Sequence, residues 1–345
     1  MATAPVAPLE GRRILVTGAA GFIGFHLSRR LLEGGATVLG IDNLNPYYDP
    51  ALKRARLRLL AHPRFAFEAL DIATPGALAA AWSRFAPDSV AHLAAQAGVR
   101  YSLKDPRAYG HSNLAGFLEV LEAARAHPEA PVLYASSSSV YGANTNVPFR
   151  ETDAVDRPVS LYAATKRANE VMAQAYAALF GLRLTGLRFF TVYGPWGRPD
   201  MAYWGFTEAL IEGREIAVFN HGRVWRDFTY VDEVVEAVAR LLSLPPSAPD
   251  EPGRIVPEVP HRLFNIGNHT PVAVGDFLAI LERLTGRRAL RRDLPMQPGD
   301  VERTWADVSA LQAATGFSPS TPLEVGLARF VAWYREWRAS GQATA

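Results

Sequence analysis

The sequence has no cysteine among its 345 residues. That absence excludes disulfides, a cysteine nucleophile and thiolate metal sites, and it fits a reducing compartment. No apolar run approaches the ~20 residues that cross a bilayer. The segment Met1 to Glu10 has no basic stretch followed by an apolar one, so no secretory leader is expected. An excess of one charge is missing too: 36 Lys and Arg face 34 Asp and Glu, a net of +2. No block of like charge calls for nucleic acid or a membrane surface. A soluble cytoplasmic protein is the expectation. What the chain does have is apolar residues, 49% of the total against 20% charged. That composition builds a sizeable core and does not suit a disordered chain. The length fits two domains.

The first two-thirds alternate short β-branched runs with longer helical patterns. Strands are predicted at 13–17, 37–42, 65–71, 89–95, 132–139 and 183–190. Helices are predicted at about 22–33, 113–127 and 161–180. Apolar strands alternating with helices imply a doubly wound parallel sheet, covered on both faces. Past Gly194 the rhythm breaks into a loop rich in proline and aromatics. A strand–helix unit returns at 226–243. Six prolines between Pro245 and Pro260 mark a surface loop. The last helix, about 323–338, carries Phe330, Trp333, Tyr334 and Trp337 at helical spacing, a pattern of core packing. The expected division is an α/β Rossmann-type domain over 1–193 plus about 226–265. A smaller substrate-binding domain takes about 194–225 plus 266–345.

Gly18-Ala-Ala-Gly21-Phe-Ile-Gly24 lies between the first strand and the first helix. Glycines there allow a tight turn, close approach of backbone to a pyrophosphate, and close helix–strand packing. The helix start then offers N–H groups and the positive end of its dipole. The spacing is G-x-x-G-x-x-G, and a glycine triplet alone is weak support. Asp42 at the end of the second strand strengthens it. A carboxylate there accepts the ribose hydroxyls of adenosine and repels a 2′-phosphate, which favours NAD over NADP. The alternative for Asp42 is a cap or turn residue. Asp71 ends the third predicted strand, where an acid can meet the adenine amino group.

Tyr162-Ala-Ala-Thr-Lys166 opens a predicted helix, and its i, i+4 spacing puts both side chains on one face. The lysine charge is expected to lower the phenol's pKa, making tyrosinate accessible near neutrality. A strand ending in Ser136 to Ser139 precedes the pair. Strand C-termini of a parallel sheet face the ligand crevice. Ser137 is then placed to hydrogen-bond a substrate hydroxyl beside Tyr162; the plainer reading of four serines is a polar loop.

Several stretches together carry a family resemblance. They are Asp42-Asn-Leu-Asn-Pro-Tyr-Tyr-Asp49, His92-Leu-Ala-Ala-Gln-Ala-Gly-Val-Arg-Tyr-Ser102, Ser136-Ser-Ser-Ser-Val-Tyr-Gly142 and Leu161-Tyr-Ala-Ala-Thr-Lys166. Further on come Arg188-Phe-Phe-Thr-Val-Tyr-Gly-Pro195, Gly197-Arg-Pro-Asp-Met201, Arg226-Asp-Phe-Thr-Tyr-Val-Asp232 and Gln297-Pro-Gly-Asp-Val301. Over nearly the whole chain the sequence resembles the extended short-chain dehydrogenase/reductases, in their nucleotide-sugar epimerase and dehydratase branch. More narrowly, it is similar to the UDP-glucuronate 4-epimerases.

The resemblance implies a catalytic set of Ser137, Tyr162 and Lys166, with Tyr162 taking the 4-hydroxyl proton. It implies NAD as a regenerated cofactor and a 4-keto sugar that receives its hydride back on the other face. The implied cofactor-binding residues are Gly18, Gly21, Phe22, Ile23, Gly24, Asp42, Asn43, Asp71, Ile72, Leu93, Ala94 and Ala95, with Tyr162 and Lys166. A 4-keto uronic acid is a β-keto acid and loses CO2 readily unless its carboxylate is held. Arg198, Thr191, Ser138 and Ser139 are the candidates for holding it, since bidentate arginine and hydroxyls suit that task. The plainer reading of Arg198 is an exposed loop residue.

For the UDP half the candidates are Val218, Phe219 and Asn220 at the uracil, Arg226 at the pyrophosphate and Asp300 at the uridine ribose. Val218 and Phe219 fit an ordinary core strand nearly as well. An Arg226–Asp227 ion pair competes with the phosphate reading. Gln297 stands where some sugar epimerases carry an arginine; Arg100 either takes that role or is solvated. His26, His92 and His111 lack metal-ligand spacing, so no metal is expected, and His92 reads as a buried core histidine. The implied partner is a UDP-sugar, and alanine-rich faces on helices 113–127 and 161–180 point to a homodimer. The rival readings are a UDP-glucose/galactose-type 4-epimerase, a UDP-glucuronate decarboxylase, and a non-catalytic dinucleotide sensor.

Overall fold

The structure is a computed structural model, and it describes residues 9–247, 252–256, 258–296 and 301–341. The strands are β1 (Arg13–Thr17), β2 (Thr37–Asp42), β3 (Phe65–Ala69), β4 (Ser89–His92), β5 (Val132–Ala135), β6 (Leu184–Phe189), β7 (Thr191–Tyr193), β8 (Glu215–Phe219), β9 (Trp225–Tyr230), β10 (His261–Ile266), β11 (Pro271–Ala273), β12 (Leu290–Leu294) and β13 (Arg303–Thr304). The α-helices are α1 (Phe22–Glu33), α2 (Pro50–Leu59), α3 (Ala77–Phe85), α4 (Pro106–Tyr109), α5 (Gly116–Ala126), α6 (Leu161–Phe180), α7 (Ala202–Glu212), α8 (Val231–Leu242), α9 (Val274–Thr285), α10 (Ser309–Thr315) and α11 (Leu323–Ala339).

Seven strands form one parallel sheet in the order β10-β6-β5-β4-β1-β2-β3. The order reverses beside β1, the switch point where α/β folds open a crevice at the strand C-termini. One apolar layer, with Phe25, Leu31, Val234 and Val238, packs α1 and α8 on one face. Another, with Trp82, Phe117, Val120 and Ala173, packs α3, α5 and α6 on the other. Both faces are thus covered, as the near-continuous apolar strands require. The doubly wound fold expected from the alternation is present.

Several boundaries shift. The hydroxyl-rich end of β5 is not strand: it turns at Ser136 and coils into a 3₁₀ turn over Ser138–Tyr141. The helix expected over 113–127 starts earlier, as α4, and passes through a π-helical turn at Gly110–Ala115 before α5. By contrast α6 spans 161–180 as predicted. The Ser160 hydroxyl caps its start by accepting from Ala163 N at 3.1 Å, and Gly181 ends it at φ 67°.

At 226, where the expected domain line falls, β9 pairs with β7, β11 and β13 in a second sheet. After it, α8, β10 and α10 rejoin the large sheet's side. A further aromatic core, with Tyr203, Trp204, Phe277 and Phe330, holds the C-terminal part together. Phe330, Tyr334 and Trp337 are buried in it, so the stripe on α11 is packing, as its spacing predicts.

Candidate functional site

The glycine turn begins with Gly18 at φ +73°, a conformation that L side chains rarely adopt. A Cβ at Gly18 would sit 2.8 Å from Ala94 N, against the chain leaving β4. A Cβ at Gly24 would sit 2.1 Å from Gly18 O. The first turn of α1 therefore rests directly on the glycine loop. No side chain caps its N-terminus at Gly21, which leaves N–H groups toward the crevice. This is a cradle shaped for a dinucleotide pyrophosphate.

A cavity of about 440 Å³ runs from that turn along the strand ends. Among its lining residues are all of the expected cofactor-binding positions, from Gly18 to Ala95. Asp42 ends β2 at its rim. One carboxylate oxygen accepts from Leu44 N at 2.8 Å and lies 3.3 Å from Lys53 Nζ. The turn role and the rim position thus coexist. Asp71 lies beyond the end of β3 and accepts from Asn43, His111 and Ala73 N. Burial pushes its carboxyl up, but those donors hold it below the usual range.

Ser137, Tyr162 and Lys166 line the same cavity. Ser137 starts the 3₁₀ turn and its Oγ accepts from Ser139 N at 3.1 Å. Tyr162 is in the first turn of α6, its ring edge-on to Tyr109 at 6.1 Å between centroids. Burial raises its phenol above the ordinary value, while the Ser137 hydroxyl and the Arg198 charge pull it down and Asp200 pushes it up. Lys166 lies one turn further along α6, and its Nζ donates to Ala135 O at 2.8 Å. Burial lowers Lys166 to about 8, with Glu170 opposing.

Thr191, Ser138, Ser139 and Arg198 reach the cavity from β7, the 3₁₀ turn and the loop before α7. Arg198 is not a solvated surface residue. It grips Asp200 through Nε at 2.9 Å and Nη2 at 2.7 Å. Tyr47 donates to the same carboxylate at 3.1 Å. Burial would raise the Asp200 carboxyl, but Arg198 and Tyr47 hold it below the usual range.

Of the residues expected at the UDP half, some line the cavity and others do not. Val218 is fully buried in the C-terminal core, and neither it, Phe219 nor Asn220 lines the cavity among the described residues. The strand reading wins there because β8 pairs with β12 and buries alternate residues against α7 and α9. Phe219 instead lies under the Arg100 guanidinium at 5.4 Å. Arg226 does line the cavity and donates to Val301 O at 2.8 Å. Asp227 is not its ion-pair partner. That buried carboxylate accepts from the backbone N–H groups of Asn268, His269 and Ala306, tying β9 to its neighbours. Asp300 and Gln297 lie outside the described residues.

His92 is buried and hydrogen-bonds Thr17 at 2.8 Å, a core histidine as its strand position predicts. Among the described residues no cluster of three or more His, Asp or Glu could hold a metal. None of the described helices is long and apolar enough to cross a membrane. Sequence reasoning passed over Tyr47, Lys53, Arg56 and Asp200. Tyr47, Lys53 and Arg56 follow Asp42, and Asp200 follows Arg198 by two, but only folding brings those two segments together.

A phosphate-ready glycine turn, an acid closing β2 and a Ser–Tyr–Lys set at the ends of β5 and α6 define a dinucleotide-dependent enzyme site. The chain belongs to the NAD-dependent epimerase/dehydratase family, whose profile matches residues 14–267. It is 47% identical to UDP-glucuronate 4-epimerase 3 of Arabidopsis thaliana, over 97% of this chain and 79% of that protein. It is similar in structure to the Bacillus cereus UDP-glucuronic acid 4-epimerase solved with UDP-glucuronic acid and NAD, with TM-score 0.84 and 32% identity. That match covers 94% of this chain and 99% of the other. The UDP-glucose 4-epimerase of Thermotoga maritima with UDP-glucose matches at TM-score 0.81 and 30% identity, over 94% of this chain and 99% of that one. The fold therefore does not by itself separate acidic from neutral sugars.

Proposed function

We propose that this protein interconverts UDP-glucuronate and UDP-galacturonate by 4-epimerisation through a 4-keto intermediate. The observation that carries the reading is a guanidinium, Arg198, in the cavity that holds Ser137, Tyr162 and Lys166. Full-length similarity to UDP-glucuronate 4-epimerases supports it. The glycine cradle fits NAD, with Gly18, Gly21 and Gly24 at the pyrophosphate and Asp42 at the adenosine ribose. When bound there, NAD+ would supply the acceptor and then the donor of the C4 hydride.

Tyr162 takes the proton from the sugar's 4-hydroxyl and gives it back after the sugar turns. Ser137 orients the oxygen, and Arg198 favours the tyrosinate by its charge. The 4-keto sugar is a β-keto acid, so loss of CO2 needs the C5–C6 bond aligned with the carbonyl π system. Arg198, Thr191, Ser138 and Ser139 hold the carboxylate out of that alignment. Serine at 138 and 139 supplies no acid–base group for 4,6-dehydration. Arg226 serves the UDP pyrophosphate.

The enzyme acts as a cytoplasmic homodimer. Exposed Leu118 on α5 and Val171, Leu179 and Phe180 on α6 support an apolar contact between copies. Residues 9–190 with α8, β10 and α10 form the cofactor-binding part; the remainder binds the nucleotide sugar.

Proton NMR of the purified protein with UDP-glucuronate and no added NAD tests the reading. UDP-galacturonate without UDP-pentose supports it, whereas UDP-pentose as main product overturns it. Tyr162→Phe should keep NAD and lose 10²- to 10⁴-fold in turnover, the usual worth of a general base (~3–5 kcal/mol).

A further inference from the structure

Arg56 on α2 is completely buried. Among the described residues no carboxylate pairs with it. A guanidinium has five N–H donors, and here all five are used. Nε and Nη2 donate to Trp196 O at 3.1 and 2.7 Å, and Nη2 also donates to Gly197 O at 2.8 Å. Nη1 donates to Ala20 O at 2.9 Å and to the Tyr48 hydroxyl at 2.7 Å. Burying a charge among neutral acceptors is costly, so a residue that does so has a positional task.

The task is visible in what it touches. Ala20 belongs to the glycine turn. Trp196 and Gly197 immediately precede Arg198. Trp196 stands at φ +58°, a conformation unfavourable for a bulky side chain, and its ring packs on Trp333 and Trp337 of α11. The loop is thus bent out of its preferred backbone and clamped from both sides. On its far end Tyr47 donates to Asp200, which in turn engages Nε and Nη2 of Arg198. That grip uses one edge of the guanidinium. Nη2 also donates to Met201 Sδ at 3.7 Å, and Nη1 has no partner among the described residues, so Nη1 is left for a second carboxylate. Tyr47 and Arg56 both belong to the segment that follows Asp42.

We propose that this segment is a strap in which Tyr47 and Arg56 are positioning residues for Arg198, holding its Nη1 toward the sugar's carboxylate. The proposal rests on the UDP-glucuronate reading. It assigns recognition of the acidic sugar to residues that come from the cofactor side of the fold. It also explains why Arg56 is an arginine: lysine has three donors and cannot span Ala20, Trp196, Gly197 and Tyr48 together.

The test measures kcat and KM for UDP-glucuronate, and dissociation constants for UDP-glucuronate and UDP-glucose, on the NAD-containing protein. The variants are Tyr47→Phe, Arg56→Lys, Arg198→Ala and the double variant Tyr47→Phe/Arg198→Ala. Tyr47→Phe should weaken UDP-glucuronate about tenfold, the scale of one hydrogen bond to a charged group, with UDP-glucose and bound NAD unchanged within about twofold. Arg56→Lys should act in the same direction and more strongly. The double variant should be no weaker than Arg198→Ala alone, because a residue acting through Arg198 has nothing left to position. If Arg56→Lys fails to fold, Tyr47→Phe and the cycle decide the matter. Equal losses on both sugars, or additive losses in the cycle, overturn the strap while wild-type turnover of UDP-glucuronate leaves the functional reading standing. A wild-type protein inactive on UDP-glucuronate overturns both.

Discussion

Lys166 donates to the Ala135 carbonyl at 2.8 Å, so its ammonium is moored at the C-terminal end of β5. The ammonium has two further N–H donors and a charge to offer other acceptors, and burial brings the group down to about 8. Deprotonation thus begins within the working range. We expect kcat/KM to fall above pH about 8, approaching tenfold per pH unit, in a profile from pH 6 to 10. A profile flat to pH 10 would separate Lys166 from the rate.

Gly24 touches Gly18 O so closely that a methyl group has no room. Gly24→Ala must push α1 off the glycine turn. The expected result is loss of retained NAD and a stability decrease of ~1–3 kcal/mol from overpacking. Absorbance at 260 against 280 nm reads the first, and thermal unfolding the second. An alanine variant that keeps both would show that the turn yields easily.

Three buried histidines make the fold acid-sensitive. Burial lowers His26 and His92 to about 3 and His261 to about 4, from 6.5. The unfolded chain therefore takes up protons first as pH falls. Their contribution is complete above pH 6.5 and is lost as pH drops toward those depressed values. Each adds a slope of ~1.4 kcal/mol per pH unit, or about 4 for the three. Urea unfolding at pH 7, 6 and 5 measures it. His92→Gln should remove about a third of the slope.

The exposed apolar residues of α6 should be covered by a second copy. Leu179 is 73% exposed. Leu179→Arg is expected to shift the protein from dimer to monomer in light scattering at micromolar concentration, without changing its secondary structure. A wild-type monomer would remove the dimer from the functional reading.

Much of the fold could be read from the sequence because its signals are local. The strand–turn–helix at Gly18 to Gly24 needs only backbone sterics, and α6 announces itself by a serine cap, an apolar face and a closing glycine. Misreadings arose where neighbours decide. Val218 looked like a ligand contact because an exposed strand end and a core strand have the same pattern; pairing with β12 selects the core. Residues 226–243 read as a strand–helix unit of the cofactor-binding domain; the buried Asp227 fastens its strand to the small sheet. The run Ser136 to Ser139 leaves the strand where the Ser137 hydroxyl accepts from Ser139 N and Ser136 turns its hydroxyl to Glu170.

The sequence alone determined which chemical groups are available: a phosphate turn, a tyrosine and a lysine one helical turn apart, an arginine beside an aspartate, and no thiol. Such features depend on spacings of a few residues. Tertiary structure decided what each group acts on. Lys166 meets the Ala135 carbonyl, and Arg56 joins Ala20 to Gly197 across positions far apart in the chain. Those pairings follow from packing and from the need to satisfy every buried donor, and no short stretch of sequence encodes either.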